Sequence, residues 1–230
     1  MTTTYRANYT LEPTDFDLES FFDDLCREYL DLSSEETQGI WKIIESKFSE
    51  PTIREYHTLA HVKDLINVME PYKDDINDQN AVYLAIFFHD LIYNPELQNN
   101  EEKSAEAFSA ATKRYLSEDL VRKVTRYILA TKTHKSPSNN TDKDLDYFLD
   151  LDMSILGRDR EEYEAYTKKI RREFIHVEEQ SFNNLRLGFL RSMLSSETKI
   201  FATIEFQTAM EEKARMNIAW EISELEKALE

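Results

Sequence analysis

Three glycines and five prolines are all the backbone punctuation that 230 residues carry. A sandwich or barrel needs a turn about every 8–12 residues, and turns of that density draw on glycine and proline. The scarcity therefore predicts an all-α fold, a single domain of long helices joined by few loops. The apolar spacing agrees. Leu18, Phe21, Phe22, Leu25 and Tyr29 recur at helical period, and Ser33 with Glu36 reads as a capping box opening a helix through Ile40, Ile43 and Ile44. Further helices are expected at about 58–70, 79–92, 100–116, 118–132, 142–156, 160–175 and 178–194. No strand-like alternation competes.

Gly157 follows the run FLDLDMSIL, where a left-handed glycine can end a helix, and Asp159 with Glu162 can cap the next. The longest polar break, 133–143, is a loop long enough to move and begins beside His134. Ala214, Ile218, Ile222, Leu225 and Leu229 form one stripe near the end, able to pack on the domain or against a second subunit of a homodimer. The organisation expected is N-terminal helices over 1–50 packed on a core over 51–195, with a C-terminal helix over 196–230.

The formal charge of −17 repels polyanions and argues against a duplex nucleic acid as partner. A small phosphorylated substrate is compatible with it, provided a cation at the site offsets the surrounding field. Cys26 is the only cysteine, which excludes intramolecular disulfides and cysteine zinc sites and suits a reducing cytoplasm. The longest apolar run, Ala81 to Phe88, is too short to span a bilayer, and the first residues do not read as a signal peptide. No membrane partner is expected.

His89 and Asp90 end the run AIFF, so the pair would be presented at the end of a buried helix. About 30 residues upstream, in YHTLAH, His57 and His61 lie one helical turn apart, a spacing that lets two imidazoles address one site. Downstream, LDLDMSILG places Asp150 and Asp152 two residues apart in an apolar helix, so they point to different faces and at most one serves the same site.

In this order the motifs resemble the HD superfamily of metal-dependent phosphohydrolases over roughly residues 54–175. YHTLAHV is similar to the YHNxxHA motif of cyclic nucleotide phosphodiesterases, its distant members. ATKTH is similar to their ATD-containing stretch, and LDMS to their ADLS. A closer likeness is to a small bacterial-type HD family with YHxxxH, FHD, NEExSA and LDxDxxILG, in which Asn100 to Ala105 supply the third motif. The resemblance implies an HD-domain helical bundle with His61, His89, Asp90 and Asp152 as metal ligands and His57 as proton donor. Asp150 falls to an outer shell or the surface. The chain lacks the acidic pair that follows HD in (p)ppGpp hydrolases.

The donor set suits a divalent ion, Mn²⁺, Ni²⁺, Co²⁺, Fe²⁺, Zn²⁺ or Mg²⁺, with positions left open for water and substrate. Such an ion lowers the pKa of bound water and stabilises charge on a phosphoryl oxygen, while a neighbouring imidazole protonates the leaving oxygen. The reaction so implied is hydrolysis of a phosphoester or phosphoanhydride in a nucleotide or other small metabolite. Glu101 could orient the attacking water or simply meet the dipole of its helix. Lys132, Arg171 and His134 are the candidates to meet phosphate, and His134 could instead contact a second metal. His57 could alternatively cap its helix. The rival readings are an Fe-dependent oxygenase on the same fold and a nucleotide-binding module without turnover.

Overall fold

The computed structural model describes residues 15–50, 54–137, 139–195 and 199–230, and the regular structure among them is entirely helical. In chain order the helices are α1 (Leu18–Asp24), α2 (Ser34–Phe48), α3 (Leu59–Met69), α4 (Gln79–Phe88), α5 (Asn100–Thr112), α6 (Glu118–Ala130), α7 (Lys143–Asp152), α8 (Arg160–Glu173), α9 (Glu179–Ser195) and α10 (Ile204–Leu229). A π-helical turn, Leu25–Tyr29, follows α1, and 3-10 turns follow α3 (Glu70–Asp75) and α7 (Met153–Gly157).

Short polar side chains fix where most of these helices begin. Asp17, Thr58, Asp78, Ser117, Asp142 and Thr203 each accept a backbone N–H of the first turn of α1, α3, α4, α6, α7 and α10. The expected capping box of α2 is present in full: Ser33 accepts from Glu36 N while the Glu36 carboxylate accepts from Ser33 N. Each such cap is worth about 1 kcal/mol. Asp159 does occupy the cap position of α8, but its side chain makes no capping bond there and pairs instead with Lys213 at 2.6 Å.

Helix α4 is the axis of the bundle. All eight residues from Ala81 to Phe88 are buried, as befits a helix apolar all round, and α3, α5, α6 and α7 pack against it. Phe87 receives the edge of Phe22 at 4.8 Å and the ring of Trp41 at 6.4 Å, which docks α1 and α2 on this axis. Tyr29, expected on the buried stripe, is instead 66% exposed, because the π-helical turn shifts the phase of the residues after α1.

Gly157 does not do what its position suggests. Among the described residues no glycine has a positive φ; the left-handed residues are Asp31 and His134. A Cβ at Gly157 would lie 2.5 Å from Met210 Cβ, so the glycine is required by the close approach of α10 to the 3-10 turn. The helix expected over 142–156 accordingly ends at Asp152 and tightens into that turn.

Helix α10 is fastened to the same region by polar groups. Asp150, buried rather than at the surface, accepts from Ala202 N and Thr203 N at 2.7 Å each and from Thr203 Oγ1 at 2.6 Å. Asn217 donates both amide hydrogens, to Leu156 O and Arg158 O, at 2.8 Å each. Ala214 and Ile218 of the C-terminal stripe are buried within this chain, with Ile222 and Leu225 against the core. The segment boundaries expected after residues 50 and 195 adjoin 51–53 and 196–198, which lie outside the described residues. No helix among the described residues is long and apolar enough to cross a membrane.

Candidate metal centre

Three elements deliver the four expected ligands to one place. His61 comes from the first turn of α3, His89 and Asp90 from the turn past the end of α4, and Asp152 from the last residue of α7. Ligand atoms of His61, His89 and Asp90 all lie within 4.8 Å of one another. Asp152 closes the group: its Oδ1 is 3.3 Å from His61 Nε2 and 3.5 Å from His89 Nε2. Two helices, α4 and α7, end at the site, and the negative ends of their dipoles favour a cation there.

The hydrogen-bond accounting fits a metal. His89 Nδ1 donates to Ile86 O at 3.0 Å, so the neutral ring carries its lone pair on Nε2. That Nε2 is buried, has no hydrogen bond, and yet stands 3.0 Å from Asp90 Oδ2. A lone pair of an imidazole and two carboxylates thus face one another in a largely buried site, with 20% of the Asp90 and 11% of the Asp152 side chain exposed, and positive charge between them, from a proton on His89 or from a cation, stabilises the arrangement. Without an ion, a proton on His89 supplies that charge. Burial alone would lower the His89 pKa, but Asp90 and Asp152 hold it well above its usual range. Burial would raise both carboxyls, yet His89 above all holds Asp90 and Asp152 below theirs.

His57 stands just before α3, its ring centroid 6.1 Å from that of His61. It does not cap the helix, since Thr58 does. Its Nδ1 is held instead at 2.7 Å by Oε2 of Glu173, a carboxylate with no exposed surface. Glu173 makes four more bonds. Oε1 accepts from the backbone N–H groups of Glu55 and Tyr56 at 2.8 Å and of His57 at 3.1 Å, and Oε2 accepts from the Tyr93 hydroxyl at 2.7 Å. The Tyr93 ring stacks on His57 at 4.3 Å. With Nδ1 committed to Glu173, Nε2 is the ring atom left for other chemistry. Burial works to lower the His57 pKa, but Asp90 and then Glu173 outweigh it and raise it. Burial likewise pushes Glu173 up, and the bond from His57 more than reverses this, bringing it down to about 2.

His134 joins the cluster from the loop after α6, with Nε2 2.8 Å from Asp152 Oδ2. Its φ of 48° is uncommon for a residue with a side chain, and the Asp152 bond is one of the contacts that hold it there. The other expected contacts have different employment. Lys132 pairs with Glu102 and donates to Gln98 O at 3.1 Å. Arg171 donates to Phe174 O at 2.6 Å and Val177 O at 3.1 Å, closing the end of α8, and so is spent on main chain. Glu101 stands half-buried in the first turn of α5.

The motif Asn100 to Ala105 has a mechanical role. Asn100 exchanges two hydrogen bonds with the backbone of Asn94, at 3.0 and 2.9 Å, and Ser104 Oγ accepts from Ile92 N at 3.0 Å while donating to Ile92 O at 3.2 Å. These bonds buckle the segment after Asp90 onto α5. Three residues around the site escaped the sequence reading: Glu173, Tyr93, and Arg54, which donates to the carbonyls of His57 and Asp90. Comparison of the chain with protein-family models, with curated proteins and with solved structures finds no match.

Proposed function

We propose that this chain is a divalent-metal-dependent phosphohydrolase on the plan of the HD superfamily. It would cleave a phosphoester or phosphoanhydride in a nucleotide or another small phosphorylated metabolite. The observation that carries the reading is the convergence of His61, His89, Asp90 and Asp152, from separate segments, around a buried imidazole nitrogen with no hydrogen-bond partner. A divalent ion held by these four residues supplies Lewis acidity toward a phosphoryl oxygen and lowers the pKa of water.

The rest is done by the chain's own groups. His57, protonated through the support of Glu173, carries a proton on Nε2 toward the leaving oxygen, a contribution worth about 10²–10⁴ in rate. Tyr93 and the three amides that Glu173 receives keep the imidazole from rotating. His134 holds the second oxygen of Asp152 and, with a third of its side chain exposed, can meet a substrate phosphate from the loop side. Arg171 leaves the list of phosphate contacts because both its Nη atoms are held by carbonyls that close the end of α8, and Lys132 would have to release Glu102 first.

Elemental analysis of the purified chain, followed by assays on nucleotides and general phosphodiesters with Mn²⁺, Ni²⁺, Co²⁺ and Mg²⁺, tests the proposal. About one bound divalent ion per chain and hydrolysis that depends on it are expected. A chain that takes up none of these ions, or that needs dioxygen to turn over, would overturn it.

A further inference from the structure

Arg54 lies outside every motif discussed above, yet it touches both halves of the site. Its Nη1 donates to His57 O at 3.0 Å and to Asp90 O at 2.8 Å, and its Nη2 donates to Leu91 O at 2.9 Å. The guanidinium is sandwiched by the rings of Phe48, at 4.8 Å, and Tyr93, at 5.4 Å. The carbonyls of Asp90 and Leu91 belong to the turn past α4, where no later helical N–H can reach them, and turn carbonyls of this kind otherwise depend on water. One planar fork satisfies both and bridges to the segment carrying the proton donor.

We propose that Arg54 is a positioning residue for the candidate metal centre: it locks the backbone bearing Asp90 to the backbone bearing His57, and so sets the affinity for the metal. The inference rests on the metal reading above. The geometry requires arginine, because three acceptors on two strands of main chain are met by two nitrogens held rigidly in one plane. A lysine ammonium is a single point and cannot reproduce that span. Outer groups that orient ligands are typically worth about 10–100-fold in metal affinity. The Tyr93 ring links this brace to the other, since Tyr93 also stacks on His57 and donates to Glu173.

The test is titration of the metal-stripped chain with Co²⁺, read by visible absorption, for the wild type, Arg54→Lys and Phe48→Leu. The lysine variant is expected to keep wild-type helicity by circular dichroism, to bind Co²⁺ about 10–100-fold more weakly, and to show an altered absorption band. Phe48→Leu, which thins the sandwich and leaves the fork intact, is expected to melt earlier with unchanged affinity. Wild-type affinity in Arg54→Lys would overturn the proposal, as would equal loss in Phe48→Leu or a lysine variant that stays unfolded at saturating Co²⁺. A wild-type chain that binds no Co²⁺ would overturn the metal reading itself.

Discussion

Replacing Glu173 by glutamine separates the support of His57 from the presence of His57. The carboxylate holds five donors, three backbone amides on Oε1 and the Tyr93 hydroxyl and His57 Nδ1 on Oε2. A glutamine can keep its amide oxygen toward the three N–H groups, but its NH₂ then faces His57. The imidazole must turn over its protons so that Nδ1 accepts. Charge-assisted bonds worth about 1.5–3 kcal/mol become neutral ones of about 0.5–1.5 kcal/mol, so a stability loss of about 2–4 kcal/mol is expected, and the chain stays folded if its stability is ordinary. The catalytic effect is larger. Without the carboxylate, burial gains weight at His57 and its pKa falls, leaving fewer protonated rings near neutrality.

The pH dependence carries a definite sign. Glu173 is held at about 2 against an ordinary 4.5, so its contribution to stability is present above about 4.5 and is lost as the pH falls toward 2. His57 is raised above 6.5, so its contribution is full below that value and is lost as the pH rises through the raised one. Glu173→Gln should flatten both limbs of a plot of stability against pH. It should also lower kcat by about 10²-fold and move the alkaline limb of the rate profile to lower pH, with metal content unchanged. Denaturant melts from pH 3 to 9 and steady-state kinetics on the loaded protein measure these effects. A variant with the wild-type rate profile would refute the reasoning, and one that loses its metal would make Glu173 part of the metal centre instead.

Three further outcomes follow from particular contacts. Asp90→Ala should lose metal and turnover together, as read by elemental analysis and kinetics, and stoichiometric metal in that variant would rule Asp90 out as a ligand. His57→Ala should keep its metal while turnover falls by about 10²–10⁴, least for an activated aryl phosphoester whose leaving group needs little protonation; equal losses on both substrate types would end the proton-donor role. Gly157→Ala forces a methyl to within 2.5 Å of Met210 Cβ and should cost about 1–3 kcal/mol, visible as a lower melting temperature, and an unchanged melt would mean that α10 can shift freely.

What was legible in the sequence, and what was not, has a physical pattern. The all-helical fold follows from apolar period and caps, both local, and Ser33 with Glu36 shows how fully a cap can be read from four residues. His61, His89 and Asp90 fall in one cluster with Asp152 beside it, a juxtaposition expected from the resemblance of their motifs, whose order and spacing can be read along the chain. Gly157 was misread because the same residue serves a left-handed turn or a close approach, and only the tertiary neighbour Met210 decides between them.

Glu173 was hidden behind Arg171, the more obvious partner for phosphate, yet it carried a signal. A carboxylate in the last turn of α8 opposes the helix dipole, where a cation is preferred and where Arg171 and Arg172 already stand. An acidic residue in that place is disfavoured locally, and burying it fully makes the cost larger. Five donors offset that cost here, and four of them belong to residues 55–57, within the segment that presents the proposed proton donor. The local conflict at Glu173 is thus resolved by groups 80 or more residues away in the chain, among them the imidazole whose protonation the proposed chemistry requires.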